Sequence, residues 1–233
     1  MNTRFSLTAA SAALMVAGTL NAVPGVVYND AANDITPGIA TAGGTLDLLS
    51  MEVSHTATDI VFSLTVNGSV NSVDWGKFMI GISTPGGDKT TTGNAWGRPI
   101  NFASNGGMNF WIGSWVDNGG GAELRSNALN WGLIGATYNG NFGGFSFSGN
   151  NITYTISRAA IGMSGDGTFF FDAYSSGDGS GDSAVDALSV NTPSISTWVG
   201  PFTTTNAFSY TIPAPGAIAL VALAAVAARR RKA

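Results

Sequence analysis

The clearest fold signal in this chain is the stretch IVFSLTVNG, residues 60–68. Every second residue is apolar and falls on one face of an extended chain: Ile60, Phe62, Leu64 and Val66. Side chains of a β-strand alternate between its two faces, so this period of two predicts a strand with one face in a core. The stretch ends on Asn67-Gly68, a strong signal for a hairpin turn.

The same alternation recurs on both sides of this stretch, between turns rich in Gly and Asn. The other predicted strands are 48–54, 75–83, 108–116, 131–138, 142–148, 151–157, 168–174 and 207–212. One helical turn is predicted within 157–167, and no amphipathic helix of useful length appears outside the two ends of the chain. Short strands at regular spacing predict an all-β protein, an antiparallel β-sandwich of jelly-roll-like form.

Composition restricts the functions open to this chain of 233 residues. Only 10% of the residues are charged, against roughly 25% in an average soluble domain. Between residues 23 and 212, five Lys and Arg oppose 14 Asp and Glu, a formal charge of −9 that repels phosphate backbones and argues against nucleic-acid binding. The absence of cysteine excludes disulfides, thiolate catalysis and zinc–thiolate sites.

The N-terminal segment, residues 1–22, has the layout of a secretory signal peptide. Arg4 precedes an apolar run over 5–20, and Ala22 stands at a plausible cleavage point. This pattern predicts a signal helix and export by the Sec machinery. The alternative is an N-terminal helix packed in the core.

The C-terminal segment, residues 213–233, combines a short motif, an apolar run and a cluster of cations. The motif is Pro213-Ala214-Pro215, and the cations are Arg229, Arg230, Arg231 and Lys232. The apolar run over 216–228 has 13 residues, fewer than the roughly 20 that a spanning helix needs. Cations beyond such a run hold that end of the chain in the cytoplasm.

This three-part segment resembles the PEP-CTERM sorting signal of Gram-negative bacteria, with Ala214 in place of the central Glu. The resemblance implies a hydrophobic helix that is transiently inserted in the inner membrane and cut by an exosortase-like protease. The protein would then pass to the cell envelope surface or the extracellular matrix. The alternative is a membrane anchor that is never cut. The chain therefore divides into 1–22, a sandwich domain over 23–212, and 213–233.

Two stretches of the body, LDLLSMEVSHTATDIVFSLTV (46–66) and YTISRAAIGMSGDGTFFFDAY (154–174), form a second pattern. The first stretch predicts an early hairpin, and the second predicts a strand, a short helical turn and an apolar strand. This order of elements resembles that of carbohydrate-binding β-sandwiches of the family 9-like and DOMON-like type. The resemblance implies a two-sheet fold and extracellular polysaccharide as a partner.

The tryptophans are the best candidates for sugar binding. Trp111 and Trp115 lie four residues apart on a predicted strand, so they share a face, with Gly113 leaving space between them. A flat indole can bury the C–H face of a sugar ring, while nearby polar groups bind its hydroxyls. The other candidates around this face are Trp96, Arg98, Asn109 and Asp117. The alternative is that these tryptophans pack in the core, where Trp usually lies.

The loop DAYSSGDGSGDSAVDALS, residues 172–189, is the candidate for a metal site. It places four carboxylates within 15 residues among Gly and Ser: Asp172, Asp178, Asp182 and Asp186. Calcium binds six to eight oxygens and accepts flexible loops, so these residues are a candidate Ca²⁺ site. The alternative is a solvated loop held by Asx turns.

Catalytic patterns are weak. His55 is the only histidine, no G-x-S-x-G motif occurs, and Glu52 and Glu123 are the only glutamates. The leading hypothesis is therefore a non-catalytic surface or matrix protein that contacts polysaccharide. The alternatives are a structural envelope or biofilm protein without a specific ligand, and a hydrolase of matrix glycans that would need a pair of carboxyls.

Overall fold

The computed structural model describes residues 23–39 and 41–214. The predicted signal helix at 1–22 and the C-terminal segment from Pro215 onward, with its predicted helix, lie outside the described residues. Across the described part of the chain, no helix is long and apolar enough to cross a membrane.

Fourteen strands and six short 3-10 helices make up the described chain. The strands are β1 (Val23–Asn29), β2 (Leu48–His55), β3 (Asp59–Val66), β4 (Lys77–Ser83), β5 (Ile100–Phe102), β6 (Phe110–Trp115), β7 (Gly121–Ser126), β8 (Gly132–Ala136), β9 (Gly144–Ser148), β10 (Asn151–Ser157), β11 (Gly167–Ser176), β12 (Asp186–Ala187), β13 (Phe202–Thr204) and β14 (Phe208–Ile212). The 3-10 helices are Val70–Ser72, Ser104–Gly106, Asp117–Gly119, Asn127–Leu129, Thr137–Asn139 and Ala159–Ile161. The last of these lies in the predicted helical turn.

The strands form two large antiparallel sheets and one small parallel pair. The first sheet has the order β1-β2-β3-β10-β9. The second has the order β12-β11-β4-β6-β7-β8, with β14 also paired to β11. Strands β5 and β13 pair in parallel outside both sheets. The prediction of a mostly β protein with antiparallel sheets is confirmed.

One hydrophobic core joins the two large sheets. Phe62 of the first sheet meets Phe169 and Phe171 of the second, with ring centroids 6.0 and 5.8 Å apart. A polar contact also crosses this core, because the hydroxyls of Ser114 and Tyr154 are 2.8 Å apart and both residues are buried. Strands β3, β4, β10 and β11 each contribute every second side chain to this core, as the alternation predicts.

A second apolar cluster covers the opposite face of the second sheet. Met79, Trp111 and Tyr174 project from β4, β6 and β11 into this cluster. The covering side chains come from three segments, between β1 and β2, between β4 and β6, and between β11 and β14, and include Leu46, Ile100, Phe102, Val185, Ile195 and Phe202. Much of the second sheet is therefore buried on both faces, which decides where the tryptophans lie.

His55 lies at the end of β2 rather than in the predicted turn, and it is 4% exposed. Its Nδ1 is 2.7 Å from the Tyr210 hydroxyl. Burial, and then the charge of Arg158, lower the pKa of His55 below its ordinary value of 6.5. The single histidine is thus part of the packing between β2 and β14.

A pH dependence of stability follows from this burial. Because the folded pKa of His55 lies below the unfolded one, its contribution to stability is complete above the unfolded pKa of about 6.5 and is lost as the pH falls through the lower, folded pKa. His55→Gln is expected to flatten the fall in melting temperature between pH 7 and pH 5. Thermal melts of the original chain and of His55→Gln, measured side by side at several pH values, would check this. If the melting temperatures of the two proteins fall equally with pH, the prediction is wrong.

Candidate functional site

Strand β6 places its tryptophans on the face of the second sheet that points away from the shared core. Ile112 and Ser114 point into the core between the sheets, so Trp111, Gly113 and Trp115 point outward, on one face as their spacing predicts. The structure gives these three positions very different surroundings.

The prediction that Trp111 binds sugar is corrected by the structure, because this residue presents no surface to a ligand. It is 0% exposed and stacks on Tyr174, with ring centroids 6.0 Å apart and planes 21° apart. The segments that cover this face of the sheet bury it in the second cluster. The alternative reading of Trp111 as a core residue is the one that the structure supports.

The space beside Gly113 is occupied by Trp96. A Cβ atom at Gly113 would overlap the Trp96 ring, so only glycine allows this close approach. Trp96 Nε1 donates to Glu123 Oε1 at 2.5 Å, which fixes the indole against the sheet. The Arg98 guanidinium lies 5.5 Å from the centre of the same ring. Trp96 remains half-buried, so part of its ring faces solvent.

Trp115, at the end of β6, is also half-buried. It stacks on Tyr138, with ring centroids 6.5 Å apart and planes 29° apart, and Tyr138 is 64% exposed. The end of the strand therefore carries an aromatic surface that is open to solvent.

A cleft of about 440 Å³ lies between these aromatic rings and a set of charged groups. Its lining residues are Lys77, Trp96, Arg98, Trp115, Asp117, Asp178 and Ser180. Lys77 Nζ is 3.3 Å from Asp117 Oδ1 and 2.7 Å from Asp178 Oδ1, so one cation sits between two carboxylates. The cleft thus combines two indoles with fixed donors and acceptors.

A second cleft of about 360 Å³ adjoins the first, since Asp178 lines both. It is lined by Trp75, Gly177, Asp178, Asp182 and Trp198. The rings of Trp75 and Trp198 meet edge to face, 6.2 Å apart, and both residues are half-buried. We call the two clefts together the tryptophan groove. Sequence reasoning did not connect Trp75 and Trp198 with this site, because they are far apart in the chain.

Two of the predicted polar partners hold the scaffold rather than face a ligand. Asn109 is buried, and its amide group binds Thr84 and the Gly86 carbonyl, which removes it from the candidate surface. Arg98 lines the first cleft but is only 5% exposed. It donates to the Ser176 hydroxyl and to the carbonyls of Gly177, Gly179 and Asp182, and so holds the acidic loop in place.

The four acids of that loop do not meet at one point, which corrects the predicted metal site. Asp172 is fully buried and accepts hydrogen bonds from the hydroxyls of Ser189 and Thr204, while burial raises its pKa to about 7. Asp178 and Asp182 line the tryptophan groove. The structure thus divides the predicted set among different places in the fold.

Asp186 instead joins acids from another part of the chain. One carboxylate oxygen of Asp186 lies within 4.8 Å of one from Asp30 and one from Asp34, which follow β1. Sequence reasoning missed this cluster. The only local signal was the pair of acids four residues apart after an extended segment.

The carboxyl groups of the groove bear on the hydrolase alternative. Asp117 and Asp178 each contact Lys77, so their Oδ1 atoms are at most about 6 Å apart, which permits the roughly 5–5.5 Å of retaining glycosidases and not the wider spacing of inverting ones. Such an enzyme needs one carboxyl that stays protonated, yet the hydrogen bond and charge of Lys77 lower the pKa of Asp178. Glu123 is held by Trp96 and by an ion pair with Arg125.

No protein family, curated protein or solved structure matches this chain. Of the predicted sorting motif, Pro213 and Ala214 directly follow β14. The rest of the motif, Pro215 with Arg229, Arg230 and Arg231, lies outside the described residues.

Proposed function

We propose that this chain is an exported, non-catalytic β-sandwich protein of jelly-roll-like form that binds extracellular polysaccharide in the tryptophan groove. The observation that carries the proposal is the grouping of Trp75, Trp96, Trp115 and Trp198, all half-buried, around two adjoining clefts. Four partly open indoles grouped at one place form an apolar surface that a partner can cover.

The chemistry of the groove suits a chain of sugar rings. Indoles bury C–H groups without needing a charge, Asp117 and Asp178 supply acceptors for hydroxyls, and the Ser180 hydroxyl supplies a donor. The first cleft falls within the usual range of about 300–1,000 Å³ for small-ligand sites. The adjoining second cleft gives the groove room for more than one ring.

The charge of the groove favours a neutral polysaccharide over an acidic one. Lys77 is already paired with two carboxylates, and Arg98 donates to loop oxygens. The described part of the chain is acidic as a whole, so it repels polyanions at low salt.

The first test is a binding titration of the full chain, purified in a detergent without a sugar headgroup because a glycoside detergent would compete for the groove. Neutral and acidic polysaccharides are added separately, and Trp fluorescence is followed. A saturable shift with neutral polysaccharides supports the proposal. Circular dichroism confirms that the protein in the titration is folded. If no polysaccharide then shifts the fluorescence, the better proposal is a structural envelope or biofilm protein without a specific ligand.

A hydrolase remains the second candidate, favoured by the separation of Asp117 and Asp178. It is tested on the same samples by measuring reducing ends after long incubation. Since Lys77 holds Asp178 ionised, we expect none to be released. Asp88, an exposed acid outside the groove, provides the control variant Asp88→Asn. If reducing ends are released, and if that release disappears in Asp178→Asn but persists in Asp88→Asn, hydrolysis would replace binding as the proposed function.

The ends of the chain support a route to the surface. We propose export by the Sec machinery, transient insertion in the inner membrane, cutting by an exosortase-like protease and release to the cell surface or matrix. Mass spectrometry of the protein recovered from the surface is expected to show a new N-terminus near Val23 and loss of Arg229, Arg230 and Arg231. An intact C-terminus in the membrane fraction would favour an anchor that is never cut.

A further inference from the structure

The geometry points to a calcium site formed by Asp30, Asp34 and Asp186, with Asp47 beside it, separate from the tryptophan groove. Asp30 directly follows β1, Asp47 directly precedes β2, and Asp186 begins β12. The site therefore lies where the first sheet and the loops beside the second sheet come together. It does not depend on the proposed function.

The spacing of the carboxylate oxygens fits a single ion. One oxygen each from Asp30, Asp34 and Asp186 lies within 4.8 Å of the others. Calcium binds oxygen at about 2.3–2.6 Å, so two ligands on opposite sides of one ion are about 4.6–5.2 Å apart. The cluster is thus compact enough for its oxygens to share one ion.

Backbone amides hold three of these carboxylates in fixed positions. Asp30 Oδ1 accepts from the Ala31 amide at 2.8 Å, and Asp186 Oδ2 accepts from the Leu48 amide at 2.7 Å. Asp47 Oδ2 accepts from the Asn33 amide at 2.9 Å and from Asn67 Nδ2 at 2.8 Å. The directions of these groups are therefore set by the fold, as a preformed site requires.

Other oxygens of the same residues are buried and have no hydrogen-bond partner: Asp30 Oδ2, both carboxylate oxygens of Asp34, and Asp47 Oδ1. Asp47 is only 2% exposed and Asp186 only 1%. Buried polar atoms almost always have partners, and an unpaired buried carboxylate is costly. A cation held by Asp30, Asp34 and Asp186 gives the orphaned oxygens of Asp30 and Asp34 a partner.

Among the residues that the structure describes, no side-chain cation forms an ion pair with these carboxylates. The three ion pairs among the described residues involve none of the four acids. These carboxylates are buried close together, and the charge of Asp47 repels those of Asp34 and Asp186. A divalent cation offsets both effects.

The ligand set favours calcium over other common metals. All the ligands are oxygens, and the cluster contains no His or Cys, which zinc and copper prefer. Magnesium demands a near-ideal octahedron and gives up water reluctantly, whereas calcium accepts six to eight oxygens in irregular arrangements. Water and nearby carbonyls complete its shell in sites of this kind.

Calorimetric titration of the EDTA-stripped full chain with CaCl₂ tests the site directly. One Ca²⁺ per chain is expected, with weaker binding of Mg²⁺. Asp34→Asn keeps the size of the side chain and removes one charged ligand. It is therefore expected to raise the dissociation constant for Ca²⁺ by about tenfold or more. The matched control is Asp166→Asn, an exposed acid that directly precedes β11, and we expect it to bind as the original chain does.

Thermal melts separate a lost ligand from a damaged fold. In EDTA, Asp34→Asn is expected to melt above the original chain, because it removes a repelling charge; in Ca²⁺ it is expected to melt below it. If Asp34→Asn does not fold, Asp30→Asn takes its place. The proposal is overturned if the original chain shows neither Ca²⁺ heat nor a Ca²⁺-dependent melting shift. It is also overturned if Mg²⁺ binds as tightly, or if neither variant changes the dissociation constant.

Discussion

Trp111→Ala is expected to lower the free energy of unfolding by about 3–5 kcal/mol, the range for truncating a large buried aromatic side chain. The indole is fully buried and stacks on Tyr174 within the second cluster. Its removal leaves a cavity beneath the loop segments that cover the second sheet. The second cluster also positions Trp96 and Trp198, which pack against it.

Trp111→Phe is the matched control for this prediction. Trp111 Nε1 is buried without a hydrogen-bond partner, so the indole contributes apolar contacts only. Phenylalanine keeps a ring against Tyr174 and removes the unpaired N–H, so its cost is expected to stay below about 1.5 kcal/mol. Urea unfolding of both variants gives the two values. A stable, folded Trp111→Ala protein that no longer binds polysaccharide would show instead that this indole meets the ligand.

Alternation of apolar residues predicted the strands that have one face in the shared core. Strands β2, β3 and β10 show this pattern in their burial as well as in their sequence. Strand β1 was missed because Val23–Asn29 contains Pro and Gly and lies at the edge of the first sheet, where half of its residues stay exposed. Strand β7 was missed because Glu123 and Arg125 interrupt its apolar character.

Which face of the second sheet meets water was not readable from the sequence. Nearly every residue of β4 is buried, because segments distant in the chain cover its outer face. Gly113 illustrates the ambiguity: a gap between two tryptophans fits an open platform and also fits a third ring, and here Trp96 fills it. Local spacing cannot separate these cases, since the answer depends on long-range packing.

The cluster of Asp30, Asp34 and Asp186 shows that local spacing also fails to predict which acids form a site. The sequence drew attention to Asp172, Asp178, Asp182 and Asp186 because they are close along the chain. Strand pairing instead decides which acids meet: β1 pairs with β2, and Asp186 of β12 holds the Leu48 amide at the start of β2. Carboxylates separated by more than 150 residues are thereby brought together.

Trp115→Ala and Trp96→Ala are each expected to weaken polysaccharide binding by about 30-fold, because aromatic residues at the centre of a binding surface contribute about 2 kcal/mol or more. Both rings line the first cleft, and both keep part of their surface open. Each truncation removes a flat apolar surface while leaving Asp117, Asp178 and Ser180 to bind hydroxyls. The measurement is the fluorescence titration with the polysaccharide that binds best.

Trp131→Ala provides the matched control. Trp131 is half-buried like the groove residues and packs against the same second cluster, but it lines neither cleft. Its variant is expected to bind as the original chain does, although it loses one emitting indole. An equal loss of affinity in all three variants would mean that general loosening of the second cluster, and not contact with the groove, governs binding. Unchanged affinity in both Trp115→Ala and Trp96→Ala would remove the tryptophan groove as the site, because no ring in the first cleft would then contribute.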